Sequence, residues 1–145
     1  MPIVNFPFLK ADSRSIARPM LFVKITNPQT GLTGDFLGII DTGADSCAIP
    51  AKYAVLLGYD LKAGKPKVIG TGNGITRAYS HECRIDIYNT NSLLRGNAEI
   101  VYTTSEIQID FMEELPVILL GVSDFLGQFV LRIDYNAQLF CLQRP

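Results

Sequence analysis

The residues best suited to chemistry in this chain form one short segment, residues 41–45, with the sequence Asp-Thr-Gly-Ala-Asp. Two isoleucines come directly before it, which is typical of the end of a buried strand. A carboxylate on a tight, glycine-containing turn at such a position is held rigidly where solvent and substrate can reach it. The pattern therefore indicates a catalytic acid at Asp41.

Composition limits the classes of protein and partner to consider. The chain has 145 residues, of which 48% are hydrophobic, enough to close a single core. We therefore expect one domain over residues 1–145. Thirteen basic and fourteen acidic residues leave a formal charge of -1, which gives no electrostatic reason to expect a nucleic acid or an anionic membrane as partner.

Cysteine and histidine are too few and too scattered to indicate a metal site. Cys47, Cys83 and Cys141 show no C-x-x-C spacing, and the only histidine is His81. We expect no disulfide framework, no zinc and no other cofactor. Cys47 lies six residues beyond Asp41 and suggests a thiol nucleophile, but with His81 so far along the chain a buried structural thiol is favoured, and His81 is expected at the surface.

The sequence shows neither a convincing secretory signal nor a segment typical of a membrane-spanning helix. The first ten residues lack a basic leading region, and Pro7 breaks their apolar run, so they make a poor secretory signal. No apolar stretch approaches the roughly 18 residues that a spanning helix requires. These features predict a soluble cytoplasmic protein.

Short strands and turns must position Asp41. Residues 21–26 alternate like a half-buried strand, residues 27–31 have turn chemistry, and residues 35–40 run into Asp41, which predicts a hairpin with Asp41 at its tip. After the turn, Pro50 suits a helix start, residues 51–57 favour a helix of about two turns, and Gly58 can end it.

The rest of the chain also favours strands joined by turns. Asn73-Gly74 is a strong hairpin signal because both residues tolerate positive φ. The remaining predicted elements are strands within 65–88, a polar loop at 89–97, a strand at 98–102, an apolar run at 116–121, a short helix capped by Ser123 and begun by residues 124–126, and a hairpin of 129–134 with 138–142.

Residues 39–44, apolar-apolar-Asp-Thr-Gly-Ala, resemble the active-site signature of the retropepsin-like aspartic proteases. The order of elements is similar too, with a glycine-rich hairpin, the flap, at 68–75 and an apolar run at 118–121 leading into a short helix. The resemblance implies a mainly β, retropepsin-like acid protease fold: a single-lobe closed β-barrel with a flap hairpin and one or two short helices, homodimeric. Residues 1–19 have no clear counterpart and are expected to be an N-terminal extension or interface segment.

The resemblance also implies a reaction that needs two carboxylates. In this family two aspartates share one proton, because like charges about 3 Å apart cannot both ionise, and together they activate a water that attacks the peptide bond. The chain contains a single Asp-Thr-Gly, so a second copy must supply the other carboxylate across a two-fold axis. Asp41 is then the catalytic residue, Thr42 hydrogen-bonds across the axis, and Gly43 donates its amide near the carboxylates.

Further positions acquire roles by the same resemblance. The residues implied to bind a peptide or protein substrate are Ala44, Asp45, Ile69, Gly70, Thr71, Gly72 and Gly74. In retroviral members an arginine follows the glycine that matches Gly121 and pairs with the aspartate at the position of Asp45. Here Val122 follows, so that ion pair is either absent or made by another residue such as Arg14 or Arg18.

Other functions stay open on sequence grounds. A protease-fold module without turnover could serve for dimerisation or peptide binding, because a fold does not fix an activity. An unrelated all-β binding domain would be monomeric. The glycines of residues 70–74 could suggest a phosphate loop, but a strand-like segment follows them and not the helix that such a loop requires.

Overall fold

The computed structural model describes residues 3–72 and 74–145, and most of its regular structure is β-strand. The strands are β1 (Ile3–Pro7), β2 (Met20–Thr26), β3 (Thr33–Ile40), β4 (Ala48–Pro50), β5 (Lys65–Thr71), β6 (Gly74–Tyr88), β7 (Ile100–Thr103), β8 (Ile107–Met112), β9 (Ile118–Leu120), β10 (Val130–Asp134) and β11 (Leu139–Gln143). The helices are α1 (Tyr53–Leu56) and α2 (Thr90–Leu94), with 3₁₀ turns at Leu61–Ala63 and Leu126–Gln128. Within these ranges no helix has the length and apolarity needed to cross a membrane.

Six strands close into a barrel in the order β2-β3-β9-β4-β8-β6, and β6 pairs with β2 to complete the ring. The pairs β3–β9 and β4–β8 are parallel, whereas β2–β3, β6–β8 and β2–β6 are antiparallel. The prediction of a mainly β fold with a closed barrel is confirmed. Closure leaves these six strands without the open edges at which sheets associate.

The interior of the barrel follows from period-2 alternation along its strands. Alternate residues of β2, of β8 and of the last third of β6 are apolar and fully or almost fully buried, since successive side chains of a strand point to opposite faces. The alternating buried residues are Leu21, Val23 and Ile25 on β2, Cys83, Ile85 and Ile87 on β6, and Ile107, Ile109 and Phe111 on β8. Burial of each large aliphatic side chain contributes about 1.5–3 kcal/mol to folding.

The predicted flap is an antiparallel hairpin of β5 with the first part of β6. Its register runs from Lys65 opposite Ser80 to Thr71 opposite Gly74. Gly74 has φ 117°, in the region that favours glycine, as the turn prediction requires. The other residue of the predicted turn, Asn73, lies outside the described residues.

The helical predictions are only partly correct. The helix expected over 51–57 is a single turn, α1, because Pro50 ends β4 and the amide of Ala51 still donates to the carbonyl of Met112 at 2.8 Å. The expected stop is present, since Gly58 has φ 77°. The polar loop predicted over 89–97 instead contains α2, whose start is capped by the Asn89 side chain accepting from the amide of Ser92.

The short helix expected after Ser123 also differs from the prediction. It is a 3₁₀ turn over Leu126–Gln128, and no side chain caps it. Asp124, predicted to begin the helix, has φ 63°, which is not a helical conformation. The chain therefore turns sharply at Asp124 before the 3₁₀ turn begins.

The chain termini form a second, three-stranded sheet in the order β1-β11-β10. The predicted terminal hairpin is confirmed as β10–β11, and β1 adds to its other side. Phe6 of β1 packs edge-on against Phe140 of β11, with ring centroids 6.0 Å apart. Part of the segment predicted as an N-terminal extension or interface thus belongs to a sheet within the same chain.

Candidate active site

The turn that carries Asp41 is fixed by main-chain hydrogen bonds on both sides. Asp41 directly follows β3 at the open end of the β2–β3 hairpin, away from its turn, and not at the hairpin tip as predicted. Its amide donates to the carbonyl of Leu120 on β9 at 3.1 Å. Its own carbonyl accepts from the amide of Ala44 at 3.2 Å, which closes the turn. The amide of Gly43 donates to Oδ1 of Asp41 at 2.9 Å. The carboxylate is half-buried, oriented by the backbone and open to solvent on one side.

A second segment, the run after β9, crosses this turn at very close range. A Cβ atom on Gly121 would lie 2.8 Å from the carbonyl oxygen of Ala44 and nearer still to that of Ser46, so only glycine fits. The amides of Val122 and Ser123 donate to the carbonyls of Ala44 and Asp45 at 3.0 and 2.7 Å. The apolar-Gly run therefore locks the residues after Asp41 in place.

A cleft of about 820 Å³ opens beside the turn. It lies between the Asp41 turn, the β5–β6 hairpin, strand β8 and the loop that follows β8. The lining residues are Asp41, Gly43, Ala44, Asp45, Ser46, Ala48, Lys67, Val68, Ile69, Gly70, Gly72, Thr76, Asp110, Met112, Glu114, Leu115, Pro116 and Leu119. A groove of this size, open to solvent and lined by both apolar and charged groups, can accept an extended peptide.

Most of the site residues predicted from the sequence line this one cleft: Asp41, Gly43, Ala44, Asp45, Ile69, Gly70 and Gly72. Ile69 packs on a small apolar cluster of Ala48, Ala78 and Met112 at the wall. Thr42 is exposed at the turn and does not line the cleft, and Gly74 lies at the start of β6. Of Thr71 the structure describes the backbone, which ends β5.

Three charged residues of the cleft, Lys67, Asp110 and Glu114, were not predicted as site residues from the sequence. Lys67 on β5 and Asp110 on β8 form an ion pair, with Nζ 3.1 Å from Oδ1, and the Asp110 side chain is only 6% exposed. The alternation of Ile107, Ile109 and Phe111 was a signal for β8 that could have placed Asp110 on a strand. Nothing local in the sequence could have paired it with Lys67, because the contact depends on the flap lying over the barrel.

The ion pair considered for Asp45 is absent from the described chain. The one ion pair among residues 3–72 and 74–145 is that between Lys67 and Asp110, so neither Arg14 nor Arg18 forms an ion pair with Asp45. Asp45 is instead exposed at the mouth of the cleft, where its carboxylate is free to meet a ligand or a second subunit.

Cys47 and His81, considered from the sequence as an alternative nucleophile and base, do not line the cleft. Cys47 is 1% exposed, and burial raises the pKa of its thiol to about 12, so it stays protonated and unreactive at neutral pH. His81 is half-buried, which corrects the expected surface position: its ring packs against Tyr59 and Phe111, and Nε2 lies 2.9 Å from the carbonyl of Leu61. Within the described residues, no three His, Cys, Asp or Glu side chains are grouped to hold a metal ion.

Comparisons with known proteins agree with this geometry. Residues 15–134 match the family model described as retroviral aspartyl protease. A retropepsin-like aspartic protease from Rickettsia conorii has a similar structure, with a TM-score of 0.59 and 20% identity over 98% of each chain. The EIAV protease in complex with an inhibitor gives a TM-score of 0.47 and 18% identity over 78% of this chain and 88% of that one. A search of curated protein sequences gives no match.

The family model covers most of the chain, from before β2 to the end of β10. It includes the Asp41 turn, the flap hairpin, strand β8 and the loop after β8, which line the cleft, and also the Gly121 crossing. The chain therefore belongs to the retroviral aspartyl protease family.

Proposed function

We propose that this protein is an aspartic endopeptidase whose active unit is a homodimer. The observation that carries the proposal is the Asp41 carboxylate, held by the Gly43 amide at 2.9 Å and placed at a cleft beneath a hairpin. One such carboxylate is half of the group that activates water in this chemistry. The exposed neighbours Thr42 and Gly43 leave room for a second copy of the turn to approach.

In the proposed dimer, Asp41 and its copy face each other across the two-fold axis and share one proton. The ionised carboxylate takes a proton from a water molecule, which attacks the scissile carbonyl carbon, while the protonated partner donates a hydrogen bond to the carbonyl oxygen. The amide of Gly43 holds Oδ1 in a fixed orientation, so the carboxylate needs no rearrangement during the reaction. Proton transfer to the leaving amine then completes cleavage of the C–N bond.

The flap hairpin accounts for substrate binding. A peptide lying in the cleft in an extended conformation can pair with backbone groups of β5 as an added strand would. Ile69 and the small apolar cluster on which it packs offer an apolar surface for substrate side chains. Closure of the hairpin excludes water other than the attacking molecule.

The test is the Asp41→Asn substitution, which keeps the shape of the side chain but removes the carboxylate. Purified protein is incubated with a mixed peptide library and the products are identified by mass spectrometry. We expect Asp41→Asn to lower the cleavage rate by about a thousandfold or more, because no other group can activate the water. Asp124→Asn, a like change at an exposed residue outside the cleft, should retain activity. Peptide retention without cleavage by the unaltered protein would support the binding-module alternative instead.

Mixing active and Asp41→Asn subunits separates a shared site from a self-sufficient one. In an equal mixture that has exchanged subunits, only about one quarter of dimers carry two carboxylates, so activity should fall to about a quarter. A fall to only about half would show that each chain works alone and would contradict the dimeric site.

A further inference from the structure

We propose that Asp110 forms a substrate subsite for a basic side chain and that Lys67 occupies it as a resident cation until the substrate replaces it. The proposal deepens the proposed function, on which it rests, by naming a substrate class for the same cleft. Both residues line the cleft, Lys67 on the flap strand β5 and Asp110 on the barrel strand β8.

The hydrogen bonds of Asp110 are incomplete. Its side chain is 6% exposed, and burial of a carboxylate is unfavourable unless hydrogen bonds and an opposite charge compensate it. Lys67 supplies the opposite charge, but its Nζ reaches hydrogen-bonding geometry only with Oδ2, at 3.5 Å, which is long for such a bond. Oδ1 has Nζ 3.1 Å away but no hydrogen-bond donor in line with it. One buried carboxylate oxygen in the cleft wall is therefore left without a hydrogen bond.

Lys67 is well placed to move away from Asp110. Its side chain is 38% exposed, so the ammonium group can swing into water at a small cost compared with that of moving a buried charge. The strand that carries it belongs to the hairpin, not to the closed barrel. Asp110, by contrast, is fixed by β-pairing on both sides, with Ala48 of β4 and Ser80 of β6 as its register partners.

The charge of the cleft selects a basic occupant over an acidic one. Among the described lining residues, Asp41, Asp45, Asp110 and Glu114 carry carboxylates, and Lys67 alone carries a positive charge. Such a cleft attracts cations and repels anions. A lysine or arginine side chain of the substrate would bring N–H donors that satisfy Oδ1 and would replace the charge of the displaced Lys67.

The test measures binding, so that it does not depend on turnover. The protein used carries Asp41→Asn. Its affinity is measured for pairs of extended peptides that have either lysine or norleucine at one position and are otherwise identical, and this position is moved along the peptide. Norleucine keeps the apolar stem and lacks the ammonium group. We expect one position at which lysine binds about tenfold or more tightly than norleucine, as a charged hydrogen bond gives. Adding Asp110→Asn should bring that ratio close to one.

Two further variants exclude a merely structural role. Lys67→Met removes the resident cation and should raise the lysine-to-norleucine ratio severalfold, a change opposite to that of Asp110→Asn. Glu113→Gln removes the same charge from an exposed position outside the cleft and should change the ratio by less than about twofold. Unchanged affinity for the norleucine peptide shows that a variant's cleft is intact. If Asp110→Asn damages the fold, the test rests on Lys67→Met. A lysine-to-norleucine affinity ratio that does not rise in Lys67→Met then overturns the proposal.

Cleavage by the unaltered protein separates the two proposals. Cleavage that depends on Asp41 but shows no lysine preference, or a preference that survives Asp110→Asn, overturns the subsite and leaves the protease. A lysine preference that depends on Asp110 in a protein that cleaves nothing supports the subsite and overturns the protease.

Discussion

The turn that carries Asp41 and the hairpin that covers it are built in opposite ways. Around the turn, two segments about eighty residues apart in sequence exchange main-chain hydrogen bonds and leave no space for even a methyl group at Gly121. In the hairpin, Val68 and Ile75 are 71% and 77% exposed, and a Cβ atom on Gly70 or Gly72 would meet nothing within 4 Å. The close packing around the Asp41 turn does not extend into the hairpin.

This difference matches the separate tasks that the proposed function gives to the two regions. A carboxylate that activates water works best when its position is fixed before the reaction begins. A hairpin that must admit and release a peptide needs few contacts in the open state, because each contact adds to the free energy of opening. Strand β6 connects the regions, since its start belongs to the hairpin and residues from Ala78 onward pair with the barrel strands.

The largest effect expected from breaking the tight region is that of Gly121→Ala. The added methyl group would overlap the carbonyls of Ala44 and Ser46, and neither backbone can move without disturbing the Asp41 turn. We expect the free energy of unfolding to fall by about 3 kcal/mol and cleavage activity to be lost with it. Urea denaturation and a peptide cleavage assay measure the two effects.

Gly70→Ala is the matched change in the hairpin. The methyl group there has open space, and Gly70 has no positive φ, so the free energy of unfolding should stay within about 0.5 kcal/mol of the unaltered value or rise slightly. Equal destabilisation by the two substitutions would contradict the proposed contrast in packing.

A smaller effect on stability is expected at Cys83, where β6 enters the closed barrel and its side chains are shielded from water. Burial raises the pKa of the Cys83 thiol from its ordinary 9.0 to about 12, so between these pH values the thiol ionises in the unfolded chain but not in the folded one. The contribution of this thiol to the free energy of unfolding is therefore complete below pH 9. It is lost as the pH rises towards 12, by at most about 1.4 kcal/mol per pH unit. Urea denaturation at pH 8 and pH 10 should show a loss about 1 kcal/mol larger for the unaltered protein than for Cys83→Ser.

The same comparison between pH 6 and pH 8 is the control, because the thiol is protonated in both states there. Serine keeps a hydroxyl within reach of Tyr59, whose OH donates to Cys83 Sγ at 3.1 Å. A pH dependence identical in both proteins would show that water reaches position 83 and that the barrel is not dry there.

The same contrast explains what the sequence could predict. The Asp41 turn was predictable because its chemistry is local: an apolar strand, a carboxylate and a glycine within a few residues. The flap hairpin and the terminal hairpin were predictable for the same reason, since turn residues and alternation define them. The missed α2 also had a local signal, the Asn89 cap with Gly96 at φ 83° after the helix, which polar composition obscured.

Contacts between distant segments were beyond prediction. Asp110 reads as an ordinary strand residue, and only the position of the flap over β8 gives it Lys67 as a neighbour. His81 occurs in a polar stretch, yet Tyr59 and Phe111, each more than twenty residues away, enclose its ring. Close approach of Gly121 to Ser46 likewise depends on two strands meeting in the barrel. Side-chain environments at such crossings follow from the fold, not from local pattern.

The smallest expected change in stability comes from Val68→Thr in the hairpin, with Val23→Thr as the same chemical change inside the barrel. Val23 is fully buried, so a hydroxyl there lacks water and should lower the free energy of unfolding by about 2 kcal/mol. Val68 is 71% exposed, so the same hydroxyl should cost less than about 0.5 kcal/mol.

Activity should respond differently from stability at Val68. Its side chain lines the cleft. Under the proposed function it becomes buried only when the hairpin closes on a peptide, so Val68→Thr should lower kcat/KM by about fivefold. Urea denaturation and initial rates on one peptide measure both quantities. Equal loss of stability at Val68 and Val23 would mean that the hairpin is packed like the barrel. Unchanged kcat/KM would mean that the hairpin does not close on substrate, because an apolar contact formed only on closure cannot be weakened without slowing the reaction.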